Sequence, residues 1–501
     1  MTTITGTAIL IESLQYTITN TSNEDSNNME IIMDSDICLS STNNHLLISG
    51  LVNTGNSCFL NSVLQSLSSL PKLHSYLHQI NQKTASLFIS KPLLKTLRLL
   101  SRPSNTAFKP SELVSILSNC LINKEQQDAQ ELFQLISTTL DNENQFARRQ
   151  QGLSSLLSST STSKLPESPF TGLLANRLSC MQCGYTEAIR HFSFNNVQLT
   201  LPDHAKTTLE DCLHQLTAME FLNDVICRKC TLIETIRHTN TKLEQNPSDQ
   251  ILLNTKQELE KRLSMGLIEQ EKEAACTTKG VSSKQAMFAK SPKILCLHTA
   301  RSSLDLSTGE IYKNTCQVEF PEILDLSPYC TNGVLNTTDP HLPISSPLHT
   351  AVPIKYRLMS IVVHYGSHDY GHFIAYKRRL IAEKCHCTSC SDDQTVLKHH
   401  ESNWFKISDE HVEACTLDDV LSANPYMLLY EMVEEEQVSD IETEEEEEEE
   451  EEHWIQQPIA PPSSPLLAPL QKASCSFYKP LSNPQRRSSK SLWTEAPTAV
   501  C

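Results

Sequence analysis

A chain of 501 residues, 39% apolar and 20% charged, is compatible with a soluble globular protein and too long for one small core, leaving room for an enlarged domain and tails. Its net charge of −18 is mostly local, since fourteen acids and no base fall within 433–452; the remaining −4 lacks the basic footprint of a nucleic-acid binder. No apolar run of about 18 residues reads as a membrane span, and residues 1–20, without Lys, Arg or a cleavage pattern, read as neither secretory signal nor transit peptide.

Residues 1–48 are rich in Thr, Ser, Asn and Asp without a sustained period and read as disordered. Order begins near Gly50. Phe59, Leu60, Val63, Leu64, Leu67 and Leu70 recur at helical spacing and Pro71 closes the run, which predicts an amphipathic helix over 57–70 with one buried stripe. Further helices are expected at 91–101, 110–122 and 127–141, the last with Ala129, Leu132, Phe133, Ile136 and Leu140 on one face. Residues 152–168 read as a low-complexity loop. Alternation predicts strand at 189–201, charge pattern an exposed helix at 250–275, and an apolar run a buried strand at 292–298. A turn-rich connection over 330–352 leads to a hairpin of strands at 357–364 and 372–377. The globular part is expected to end near Tyr430, because the acidic run and the Pro/Ser-rich remainder hold too little apolar pattern to fold alone.

Eighteen cysteines without an export signal point to metal ligation, catalysis or burial in a reducing compartment, not to disulfides. Cys58 follows a Gly-Asn turn at the first turn of a helix, where exposed amides and the helix dipole favour thiolate. Asn53, five residues earlier, is placed to aim an amide at an oxyanion. The plainer reading of Cys58 is a small buried core residue. A thiol nucleophile needs a base remote in sequence, and 18 histidines leave that choice open to composition. Cys180-x-x-Cys183 and Cys227-x-x-Cys230 supply four thiolates, the set for a closed tetrahedral zinc, with 43 residues between the pairs for an insertion to span. A redox pair is the rival reading, without a thioredoxin-like βαβ context to support it. Cys385, Cys387 and Cys390 have no partner knuckle and read as an exposed loop.

Residues 50–65, GLVNTGNSCFLNSVLQ, resemble the Cys box of the ubiquitin-specific proteases, and 371–376, GHFIAY, resemble the family's His box. The resemblance implies that Cys58 is the nucleophile, Asn53 the oxyanion donor and His372 the base. Most of the family place Asp or Asn after a Trp-containing strand to orient the base; in Trp404-Phe-Lys-Ile-Ser408-Asp409 that position holds Ser408. The substitution resembles the branch with a Cys-His-Ser triad that is anchored in the mitochondrial outer membrane, and Asp409 is left a supporting role. Residues 125–128, EQQD, resemble the family's Gln-Gln-Asp motif, which implies that Asp128 meets the basic C-terminal tail of ubiquitin. Read without the family, Asp128 is an acid complementing a helix dipole.

The implied fold is α+β and papain-like, with a helical thumb, an α/β palm, antiparallel β fingers tipped by one structural zinc, and disordered tails at both ends. It implies a catalytic domain at 49–432 with insertions near 143–168, 232–285 and 380–402, between a segment 1–48 and a tail 433–501. The implied activity is thiol-dependent hydrolysis of the (iso)peptide bond after ubiquitin's last glycine, needing no catalytic cofactor. Ubiquitin and ubiquitinated proteins are the expected partners of a monomer. A weak or inactive ubiquitin-binding scaffold, or a protease for a ubiquitin-like modifier, remains open. The expected location is cytoplasmic, at the outer membrane by resemblance alone, since 1–49 hold no basic-flanked apolar anchor.

Overall fold

A computed structural model describes residues 48–434 except 85–86, 105, 121–127, 158–164, 187, 269–276, 347–352, 368–369 and 385–394, with the backbone alone at 119–120, 150–157, 381–384 and 395–403. Both expected tails, and the Cys385–Cys387–Cys390 cluster, lie outside the described residues.

Five helices make the thumb: α1 Cys58–Leu67, α2 Pro71–Lys83, α3 Ser90–Ser101, α4 Ser111–Cys120 and α5 Ala129–Leu157. Two differ from the sequence reading in an instructive way. Pro71 begins a helix instead of ending one: at the first helical position its missing N–H is not needed and its fixed φ suits the turn. Helix α1 has no polar face at all, since all ten of its residues are buried. It lies between the other thumb helices and a sheet, so Asn61 and Gln65 point into protein and find partners there. Helix α5 runs on to Leu157, through part of the expected loop at 152–168.

The palm is a sheet ordered β15-β14-β13-β12-β16-β7-β3, with β11 pairing β12 at its side. Its strands are β3 Val197–Thr200, β7 Ile294–Ala300, β11 Ile323–Asp325, β12 Lys355–Gly366, β13 Gly371–Lys384, β14 Thr395–Ser408, β15 His411–Cys415 and β16 Met427–Met432. Side chains alternate between two cores, as strand geometry requires. On β7, Ile294 and Cys296 join the thumb core with Leu64, Phe133 and Phe373, while Leu295 and Leu297 join a second core with Trp404, Tyr356 and Leu213. The expected insertion at 380–402 is in part this sheet, because the β13–β14 ladder continues to Lys384 opposite Thr395.

The fingers are a four-stranded sheet, β2-β1-β6-β5, formed by β1 Gly172–Cys180, β2 Arg190–Phe194, β5 Glu220–Ile226 and β6 Lys279–Lys290. Between β3 and β5 come β4 Lys206–Thr208 and α6 Leu209–Thr217. Helices α7 Arg228–Gln245 and α8 Gln250–Met265 pack on one another between β5 and β6. Strand β6 starts at Lys279, inside the range 232–285 read as an insertion, and is the central strand between β1 and β5.

Candidate active site

Helix α1 brings Cys58 to the junction of thumb and palm, and β13 brings His372. The backbone N–H of Phe373, the residue beside His372, is near enough to the Cys58 sulfur to favour its thiolate. The thiol is buried, and burial outweighs the favourable amides: its pKa is pushed above the ordinary thiol value, with the nearby Asp409 carboxylate adding to the shift. The helix amides at Phe59 and Cys58 pull it back only in part. The helix start favours the thiolate as expected, without deciding the balance. Desolvation of a small anion is the larger effect, and a cation has to form beside the sulfur to reverse it.

The His372 imidazole is held from one side. Nε2 of His372 lies 2.8 Å from Ser408 Oγ and 3.8 Å from Asp409 Oδ2, contacts that leave Nδ1 over. Ser408 ends β14, and Asp409 follows it in the left-handed region at φ 53, which turns its carboxylate back under the site. That carboxylate is buried and accepts two amide hydrogens, from Asn53 Nδ2 at 2.8 Å and from Asn61 Nδ2 at 2.7 Å. The backbone follows the same path: Leu51 N donates to Asp409 O at 2.9 Å, and Asn53 N to Glu410 Oε1 at 2.7 Å. Gly50 makes this approach possible, since a Cβ there would fall 2.6 Å from Glu410 O and 2.8 Å from Asp409 O.

Asn53 is thus tied at several points. Its Oδ1 accepts from Gly55 N at 3.1 Å and from Ser57 Oγ at 3.1 Å, which orders the turn before Cys58. One Nδ2 hydrogen serves Asp409, and the amide has a second hydrogen to donate. Asp128 begins α5 as its cap, with Oδ1 accepting from Gln130 N at 2.6 Å and Oδ2 accepting from the Tyr426 hydroxyl. His298 sits against Tyr426 with ring centroids 4.8 Å apart; burial pushes it down to about 4, and neither ring nitrogen has a hydrogen-bond partner among the described residues. The capping and the acidic lining expected of Asp128 are therefore compatible. Asn61, Tyr426, His298 and the Phe373 amide were missed in the sequence; for Asn61 and Phe373 the signal was there, as they lie inside the two boxes.

The four knuckle cysteines meet at the fingertip. Strands β1 and β5 both run antiparallel to β6, so they point the same way and their C-terminal ends, at Cys180 and just before Cys227, come together. The 43 residues between the pairs are filled by β2 to β5 and α6, while α7 starts within the second pair and α8 lies in the range 232–285 expected to hold an insertion. All four Sγ atoms lie within 4.8 Å of one another, with Cys180–Cys230 at 3.8 Å and Cys183–Cys227 at 3.5 Å. Four thiolates about 2.3 Å from a tetrahedral zinc stand about 3.8 Å apart, so the site fits a structural zinc. Cys227 also caps α7, its sulfur accepting from Cys230 N at 3.4 Å, a contact that favours the thiolate.

A buried thiol at a helix start where a helical lobe meets a sheet, together with an imidazole backed by a hydroxyl and a carboxylate, is the group set of a thiol hydrolase. Residues 49–430 match the family described as ubiquitin carboxyl-terminal hydrolase, and the chain belongs to that family. It is a cysteine-type deubiquitinase with the thumb, palm and fingers of the ubiquitin-specific proteases. Among curated relatives, it is similar to ubiquitin carboxyl-terminal hydrolase 30 of Xenopus tropicalis at 26% identity, over 77% of this chain and 82% of the relative. The human protein of that name is 24% identical over 77% and 84%, and hydrolase 27 of Arabidopsis thaliana 23% identical over 77% and 85%. The fold is shared with the SAGA Ubp8/Sgf11/Sus1/Sgf73 DUB module solved bound to ubiquitin aldehyde, at a TM-score of 0.51 and 21% identity, over 77% of this chain and 70% of that one. Among the described residues no helix is long and apolar enough to cross a membrane.

Proposed function

We propose that Cys58, His372, Ser408 and Asn53 carry the hydrolysis and that Asp128 receives the basic tail leading to ubiquitin's last glycine. The observation that carries this reading is the line from the Cys58 sulfur, through the Phe373 amide beside it, to an imidazole fixed by Ser408 at 2.8 Å. As the Cys58 sulfur attacks the terminal glycine carbonyl, its proton passes to Nδ1 of His372. The carbonyl oxygen becomes an oxyanion that accepts from Asn53 Nδ2. The tetrahedral species collapses to a thioester while His372 returns the proton to the departing amine. Water then attacks the thioester, His372 takes its proton, and the carboxylate leaves as the thiol is restored.

A hydroxyl stabilises an imidazolium less than a carboxylate does, and Ser408 in that place is the feature that favours a weak enzyme or a ubiquitin-binding scaffold. The buried Asp409, 3.8 Å from the ring, supplies the missing charge and favours turnover. Chain location at the mitochondrial outer membrane is supported by resemblance alone. A ubiquitin C-terminal electrophile tests the assignment: covalent labelling of the wild type, absent in Cys58→Ala, is expected. Labelling that survives Cys58→Ala refutes it, and equal labelling by a ubiquitin-like probe changes the substrate.

A further inference from the structure

Lys313 lies outside the groups assigned above, yet it grips the hairpin that carries the base. It closes β9 Ile311–Lys313, which pairs with β8 Ser302–Leu304 in a two-stranded ribbon with Ser302 opposite Lys313. The root of that ribbon is fixed. Asn314 N donates to Arg301 O at 2.6 Å, and the buried Arg301 guanidinium donates to Asn314 O at 3.2 Å, Cys316 O at 2.9 Å and Pro425 O at 2.8 Å. From this fixed point Lys313 Nζ donates to His364 O at 2.9 Å and to Gly366 O at 2.8 Å.

Those two carbonyls flank Tyr365, and Tyr365 is the cross-strand partner of His372 in the β12–β13 ladder. Carbonyls two residues apart on a regular strand are separated by about 7 Å, which is more than one ammonium bridges at hydrogen-bond distance. The backbone curls to bring them together: Gly366 has φ +114, outside the range that other residues favour. Gly371 answers it, since a Cβ there would fall 1.9 Å from His364 Nε2 and 2.4 Å from Tyr365 O. Two glycines permit the curl, and the lysine is the group that holds it from outside the hairpin.

We propose that Lys313 is a positioning residue for His372: by bridging the carbonyls on either side of Tyr365 it sets the place at which β13 delivers the imidazole to the cleft. The ribbon and the hairpin then move as one piece. This rests on His372 being the base, and the test separates the two. The full chain carrying Lys313→Met is compared with Lys313→Arg, whose guanidinium also reaches two carbonyls, and with His372→Ala, in turnover of a fluorogenic ubiquitin C-terminal amide. A displaced base costs about 10²-fold in kcat, so Lys313→Met is expected to lose that much with KM within about threefold and an unchanged melting temperature, and Lys313→Arg to recover most of it. Alkylation of Cys58 by iodoacetamide, followed on its own peptide, is expected to slow in Lys313→Met in the same sense as in His372→Ala. Unchanged kcat in Lys313→Met, loss that Arg does not rescue, or loss that tracks a fall in melting temperature overturns the proposal. Full turnover in His372→Ala overturns the base assignment instead.

Discussion

Replacing Ser408 by alanine removes a hydroxyl 2.8 Å from His372 Nε2 and leaves Asp409 in place behind it. A hydrogen bond to a charged group contributes about 1.5–3 kcal/mol, and this one is at its strongest when the imidazolium forms. The carboxylate is 3.8 Å from the ring, where opposite unit charges attract by about 4 kcal/mol at an effective dielectric constant of about 20. The His372 side chain is 41% exposed, so water screens that attraction, to about half of it. Each partner therefore covers in part for the other. Ser408→Ala is expected to lose about tenfold in kcat/KM, about 1.4 kcal/mol, because Nε2 can turn to Asp409. Asp409→Asn, which keeps the hydroxyl and removes the charge, is expected to lose about thirtyfold. With both gone the ring has no support, and the double variant falls below the product of the two single losses. The assay is kcat/KM on the fluorogenic ubiquitin amide for the four chains, with melting temperatures alongside because Asp409 also holds Asn53 and Asn61. A loss of about 10³-fold for Ser408→Ala with a mild Asp409→Asn refutes the sharing and makes the hydroxyl the sole orienter. No loss for Ser408→Ala makes the contact a bystander.

Two further outcomes follow from groups away from the cleft. Removing zinc with a strong chelator, or replacing Cys227 by Ser, is expected to strip the fingertip of its metal and lower the melting temperature, since four thiols, three of them buried, then lose their shared partner; metal analysis that finds no zinc in a chain with unchanged unfolding refutes this. Glu431 is buried on β16 and its carboxyl is pushed up to about 7 by burial, against the pull of Lys72. A folded-state value above the unfolded one of about 4.3 means that its favourable contribution is full below that pH and is lost as the pH rises through 7. Glu431→Gln is therefore expected to raise the melting temperature at pH 8, by up to about 3 kcal/mol of stability, and to leave it unchanged at pH 4. Equal shifts at both pH values refute the burial argument.

What the sequence conceals follows a physical pattern. The Cys and His boxes were legible because their chemistry lies in contiguous residues, and the four knuckle cysteines because their spacing mirrors a ligand set. Strand β1 was missed because it carries Arg177, which a sequence reading places in water. The fold buries that side chain instead, and its terminal nitrogens donate to the carbonyls of Asn336 and Leu342, residues more than a hundred positions away. The stripe expected on α1 is buried as read, and what the reading left out is the other face: Asn61 answers Asp409, and Gln65 answers Ser49 O and Lys377. Helical spacing counts a buried polar residue as an outward one, and only its distant partner says otherwise. The part given to Asp409 was half legible. Its place beside Ser408 was plain, but its left-handed backbone and the two amides that hold its carboxylate depend on a loop some 350 residues earlier.

Lys377 is the buried residue on β13 with the widest reach, its ammonium donating to Gln65 Oε1 at 2.8 Å, Ser68 Oγ at 2.6 Å and Leu100 O at 3.0 Å. Together with the amide-to-sulfur contact at the other end, it bolts α1 to β13 at two separated points. Sliding this strand along the helix would break three buried hydrogen bonds of one lysine at once.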